Sequence, residues 1–226
     1  VMYKALFNIF FPKVCYCCQN ILADGELTLC TECRHRLPVT QFHFNNDNSV
    51  INVLYGRVKV EHATALLRFE KKGITQKLLH QLKYKGQEQI GSFLGDWLGG
   101  DLQTLEEYKS IDAVIPVPLH KNKLRKRGYN QVAKFGIQLA NALNAEYIDH
   151  VLIKINHSNS QVFKNRLSRW TTSDAVFSIQ YPEKINNKHI LLVDDIITTG
   201  ATMEACANLL LRSKNVKISI ATMAIA

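Results

Sequence analysis

Two carboxylates stand side by side at Asp194 and Asp195, at the end of the apolar run Ile190-Leu191-Leu192-Val193. A small, hydroxyl-rich turn follows, Thr198-Thr199-Gly200-Ala201-Thr202. The backbone N–H groups of such a turn, opening into a helix, can hold a phosphate. Gly200 allows close approach, and the threonines add hydroxyl donors. The aspartates would repel that phosphate, but they suit neighbouring hydroxyls of a sugar and attract a divalent cation. The pattern therefore asks for a phosphate at one end of a ligand and a vicinal diol beside it, as in a ribose 5-phosphate. It is neither a P-loop nor a dinucleotide fingerprint, since G-x-x-x-x-G-K-[ST] and G-x-G-x-x-G are both missing. The bland alternative is a strand that ends in an acidic helix cap.

A second constellation is C-x2-C-x11-C-x2-C, formed by Cys15, Cys18, Cys30 and Cys33. Paired knuckles present four thiolates at the spacing a tetrahedral zinc requires. Two disulfides could use the same residues, but no secretory context supports them. With four protein ligands the metal would be structural, with no open position for catalysis, and would replace a core that about 40 residues cannot supply. Cys17 breaks the spacing and reads as a spectator; Cys206 reads as a core residue.

The third feature is charge. Between Ala113 and Ala145 there is no acidic residue, but Lys121, Lys123, Arg125, Lys126, Arg127 and Lys134 all fall there, against a net charge of +9 for the chain. Such a run is often only a solvated face. Here it is expected as a loop after a short apolar strand, which makes phosphate binding a competing reading.

Elements that would position these groups can be read from hydrophobic periodicity. Strands are expected over His62–Glu70, Ile111–Leu119, the stretch "HILLVDD" and Val216–Ile225. Helices are expected over Ile74–Tyr84, the stretch "IGSFLGDWLGGDL", Asn130–Asn144 and Ala201–Ser213. Apolar strands without side alternation, separated by helices, predict an α/β fold with a parallel sheet covered on both faces. Ligands gather at the carboxyl ends of strands in such sheets, where both the Asp-Asp-turn and the basic run fall. The expected division is 1–40, an N-terminal helix and four-cysteine zinc module; 41–57, a polar linker; and 58–226, the α/β domain.

With 226 residues, 46% hydrophobic and 21% charged, the chain has the composition of a globular protein and not of a disordered one. No apolar run approaches the ~20 residues that cross a bilayer, so no membrane span and a cytoplasmic location are expected.

The stretch "ILLVDDIITTGAT" resembles the thirteen-residue phosphoribosyl pyrophosphate (PRPP) motif of type I phosphoribosyltransferases. The order of the four-cysteine knuckle, "LKYKG", "PVPLHKNKLRKRGYNQ" and this motif is similar to that of the ComF family of competence proteins, over nearly the whole chain. The resemblance implies a type I phosphoribosyltransferase-like α/β domain behind a small N-terminal zinc-binding module. It implies that Asp194 and Asp195 meet the ribose hydroxyls and Mg²⁺, and that Ile197, Thr198, Thr199, Gly200, Ala201 and Thr202 form the 5-phosphate loop. Leu119, His120 and Lys121 would form the pyrophosphate loop, with Lys83, Lys85, Arg125, Arg127 and Asn130 as auxiliary groups, the last three at a helix start. Gln161 and Arg169 would belong to a hood over bound PRPP.

The implied reaction is Mg²⁺-dependent displacement of pyrophosphate from PRPP by an unnamed acceptor, in a protein associated with competence and DNA uptake. The alternative is a single-stranded-DNA-binding competence factor with a non-catalytic or regulatory PRPP site. Partners under these readings are PRPP and its acceptor, single-stranded DNA and other competence proteins.

Overall fold

The structure, a computed structural model, describes residues 12–155 and 176–226. Its centre is a five-stranded sheet in the order β1-β7-β6-β2-β3, built from β1 (Ala63–Arg68), β2 (Ala113–Pro116), β3 (Glu146–Tyr147), β6 (His189–Ile197) and β7 (Lys217–Ile225). Every pairing in this sheet is parallel. A second, antiparallel pair joins β4 (Leu152–Ile155) to β5 (Val176–Ile179).

The apolar runs without alternation have the expected consequence: consecutive residues of one strand enter opposite core layers. Leu191 and Val193 of β6 face the layer filled by α4 (Ile74–Tyr84), α5 (Gln89–Leu102) and α7 (Ala133–Ala142). Ile190 and Leu192 face the layer that includes α8 (Ala201–Leu210). Helices α5 and α7 pack with almost no side chain between them at Gly95, where a Cβ would stand 2.8 Å from the Phe135 carbonyl oxygen and 2.9 Å from the Gln138 Cβ.

The stretch 41–57, expected as a polar linker, holds two short helices, α2 (Phe42–Asn45) and α3 (Ser49–Leu54). Phe42, Val50 and Leu54 are buried with the α8 layer. The abundant asparagines hid three anchors whose spacing is too irregular for a periodicity signal. The cysteine module, whose described residues include the helix α1 (Thr31–His35), also joins a core: Cys15, Leu29, Cys33 and Leu37 pack into the layer on the α4 side. Just after it, Val39 bridges antiparallel to Leu67, the Thr40 N–H donates to the Leu66 carbonyl, and the Arg68 N–H donates to the Pro38 carbonyl. This short stretch therefore lies along the outer edge of β1.

Candidate active site and metal centre

Because β2 and β6 are parallel neighbours, with Pro116 opposite Val193, their carboxyl ends open at the same rim of the sheet. The loop after β2 is tied to that neighbour by the Val117 N–H, which donates to the Val193 carbonyl at 2.9 Å. His120 then caps α6 (Lys121–Arg127), its Nδ1 accepting from the Asn122 N–H at 3.2 Å. The basic run is thus a helix rather than a loop. Arg125 and Arg127, expected at a helix start, lie in its last turn, which closes at Gly128 with φ +87°. Asn130 holds the following junction by donating to the Val117 carbonyl at 3.1 Å and accepting from the Val132 N–H at 3.2 Å.

Strand β6 continues past the aspartates to Ile197. Ile197 is therefore not part of the loop: it is 1% exposed and packs in the core. The turn proper begins at Thr198, and Thr198, Thr199, Ala201 and Thr202 are exposed at the start of α8. Gly200 has φ +77°, and a Cβ there would come within 2.8 Å of Leu54 and 2.9 Å of Val53. Glycine is required twice over, by backbone conformation and by the pressure of α3 from beneath. Arg57 completes this support, donating to the Thr199 carbonyl at 2.9 Å and pairing with Glu204 at 2.8 Å. Sequence reasoning missed Arg57, because the contact joins residues 142 positions apart.

The two aspartates have different surroundings. Asp195 is 5% exposed; its Oδ1 accepts from the Lys83 ammonium at 2.9 Å, and its Oδ2 accepts from the Gln131 amide. Gln131, also missed, is buried and accepts in turn from Arg127. Asp194 is half-buried, and its Oδ1 accepts from the Asp195 N–H at 2.8 Å. Burial and the neighbouring Asp195 charge push its carboxyl up to about 8, against the pull of that N–H, Lys83 and Lys154. Lys85 is exposed. Gln161 and Arg169 lie outside the described residues.

Beside the β2 loop is a cleft of about 460 Å³ lined by Leu119, Lys121, Leu124, Tyr129, Tyr147 and Lys154, among others. The basic helix α6 forms one wall. Arg127 stacks over the Tyr84 ring at 5.5 Å, and Tyr84 is itself 67% exposed.

The four thiols of Cys15, Cys18, Cys30 and Cys33 lie within 4.8 Å of one another, a cluster able to hold a metal ion. The Cys18–Cys30 sulfur separation of 3.7 Å matches the edge of about 3.8 Å that a tetrahedron with Zn–S of ~2.3 Å requires. Burial raises the Cys15 thiol, but N–H donors of Cys18, Cys30 and Cys17 outweigh it and bring the group down to about 7, towards the thiolate a metal needs. Cys17 stands outside the cluster and is pushed up to about 12 by burial and the neighbouring cysteines. Among the described residues no helix is long and apolar enough to cross a membrane.

A family model described as "Phosphoribosyl transferase domain" matches residues 133–226, which include β6, the turn and α8. The DNA utilization protein YhgH of Escherichia coli O157:H7 is 28% identical over 60% of this chain and 60% of its own length. Competence protein F of Haemophilus influenzae is 28% identical over 59% of this chain and 60% of its own. Competence protein ComFC of Bacillus subtilis is 26% identical over 99% of this chain and 89% of its own. The chain thus spans 60% of the length of the first two relatives. The five-stranded parallel sheet and the matched domain give a type I phosphoribosyltransferase fold. The chain is thus similar to competence proteins F and ComFC, and its match to the phosphoribosyl transferase domain model, over residues 133–226, follows an N-terminal four-cysteine cluster.

Proposed function

We propose that the chain is a Mg²⁺-dependent phosphoribosyltransferase that uses PRPP and serves DNA uptake. The observation that carries this reading is the meeting, at one rim of the sheet, of the Asp194-Asp195 pair, the exposed turn from Thr198 to Thr202 and the basic segment after β2. The turn would take the 5-phosphate on the first N–H groups of α8 and on the threonine hydroxyls. The aspartate pair would take the ribose diol. Leu119, His120 and Lys121 would face the pyrophosphate, with further cations from α6.

In the transfer, the bond between C1 and the pyrophosphate oxygen breaks, and its electron pair leaves with the pyrophosphate. A lone pair of the acceptor forms the new bond to C1, and the acceptor loses a proton. The residues named would act by orientation and by neutralising charge that develops on the leaving group. Asp194 would help hold a magnesium ion, which when bound supplies further charge neutralisation. The four-cysteine cluster would hold zinc in a purely structural role. Four thiolates committed to a metal would suit the cytoplasm, where thiols are kept reduced.

Calorimetric titration of PRPP, with and without Mg²⁺, tests this reading on the native protein and on Asp194→Asn. Metal-dependent binding that falls at least about a hundredfold in the variant is expected; no binding to folded, zinc-loaded protein would sink the transferase.

One observation favours a second role. Lys121, Lys123, Arg125 and Lys126 are exposed on α6 and make no salt bridge among the described residues, and Tyr84 stands exposed beside Arg127. Cations with a stacking ring suit single-stranded DNA. Binding that weakens steeply with salt, and weakens further when Tyr84 is changed to alanine, would support that role.

A further inference from the structure

The glycine that the turn requires also brings it a weakness. Gly200 sits at φ +77° with no room for a side chain above α3. A glycine after a peptide bond tolerates either orientation of that peptide plane. The Thr199–Gly200 peptide is trans, so its carbonyl and its N–H point in opposite directions. A flip of this plane would exchange their places. The phosphate proposed for the turn would then meet a carbonyl oxygen, which repels it, in place of an N–H donor.

One side chain opposes the flip. The Arg57 Nη2 donates to two carbonyls, that of Val53 and that of Thr199 at 2.9 Å, and Nη1 donates to Glu204 at 2.8 Å. A guanidinium Nη carries two N–H groups, so Nη2 keeps no donor for an anion. The Arg57 backbone is tied as well: its N–H donates to the Leu54 carbonyl at 3.0 Å, and its carbonyl accepts from the Asn208 amide at 3.4 Å. Glu204 and Asn208 lie one turn apart on α8, so this residue braces α3, the turn and α8 together. With the Thr199 carbonyl drawn to Arg57, the Gly200 N–H points away from that side chain. It has no partner among the described residues.

We propose that Arg57 is a positioning residue for the phosphate turn: it holds the Thr199 carbonyl so that the Gly200 N–H is presented to the anion. This deepens the phosphoribosyl reading of the turn and rests on it. Arg57 acts as a strut and not as a phosphate ligand, because Glu204 offsets its charge and the two carbonyls occupy its Nη2.

Titration of ribose 5-phosphate and of pyrophosphate, both with Mg²⁺, tests the proposal on wild type, Arg57→Ala and Arg57→Lys. Arg57→Ala is expected to weaken ribose 5-phosphate about tenfold, the loss that follows when only about a tenth of the turns present the N–H. Pyrophosphate, proposed to meet the loop after β2, is expected to change by less than about twofold. An unchanged affinity for ribose 5-phosphate, or equal losses for both compounds, overturns the proposal.

Nuclear magnetic resonance relaxation reads the turn without ligand. The Gly200 amide is expected to show exchange broadening in Arg57→Ala that wild type lacks. Weaker binding with an unbroadened Gly200 amide would make Arg57 a direct phosphate ligand and overturn the strut. Arg57→Lys keeps the charge without the planar fork, and in it affinity and broadening are expected to move together. Affinity restored while the amide stays broadened overturns the proposal, because charge alone would then suffice. A wild type that binds neither compound, with a Gly200 amide that still broadens in Arg57→Ala, would retain the strut and defeat the phosphoribosyl reading.

Discussion

A carboxyl group held near pH 8 changes its charge within the range where the protein must work. The native environment of Asp194 favours the protonated form through burial and through Asp195. A group with its folded pKa raised contributes stability that is complete below its ordinary pKa, near 4, and is lost as pH rises through about 8. Asp194→Asn is therefore expected to melt above wild type by an increment that grows from pH 4 to pH 8 and then levels. For a chain of this size the scale is about 2–4 °C per kcal/mol, and melts across that pH series check it. A ligand that recruits Asp194 as a carboxylate, with a cation, should release a proton at pH 7. Titrations in buffers of different ionisation enthalpy measure that release.

At Gly200 the expected cost of alanine is about 1–3 kcal/mol, because the new Cβ meets Leu54 and Val53 while φ stays positive. Denaturant melts check this. The Asp-Asp-turn was legible from residue types alone, since its chemistry is local. Gln131 and Arg57 were not, because each acquires its role from a partner brought close only by the sheet.

Strand–helix alternation was legible too: the four strands and four helices expected after residue 60 are present, but the short strands β3, β4 and β5 and the helix α6 were not anticipated. Where sequence reading slipped, local chemistry was outweighed by composition. The basic run between His120 and Gly128 contains straight-chain residues suited to a helix, a capping imidazole at one end and a left-handed glycine at the other. Its charge made it look like a loop. The asparagine-rich stretch before β1 looked like a linker because three buried anchors do not make a period. The pairing of α5 with α7 carries a prediction of its own. Gly95→Val must push the Phe135 backbone away and is expected to destabilise by about 1–3 kcal/mol. It should also displace Gln131, which precedes the same helix, and weaken sugar-phosphate binding beyond what a surface change would. Urea melts and a binding titration on the same sample separate the two effects.

For the molecule as a whole, the cysteine module is part of the packing and not an appendage. Cys15 and Cys33 are buried in a layer that also holds Leu78 and Leu94. Metal analysis is expected to find one zinc per chain. Removing it with a strong chelator should lower the melting temperature of the entire protein by several degrees; a melt unchanged by chelation would mean that the cluster closes without metal. The net charge of +9 acts at this same scale, favouring encounters with polyanions that salt suppresses.

The strip at Val39, which runs antiparallel along Leu67, matters in a different way. A long apolar strand left bare at a sheet margin offers its N–H and C=O groups to any passing chain. Here that margin is occupied by the residues that leave the cysteine module, so a cluster held closed by metal would guard against self-adhesion. A preparation starved of zinc should therefore clump before it loses the parallel sheet, with light scattering rising ahead of any change in far-ultraviolet circular dichroism.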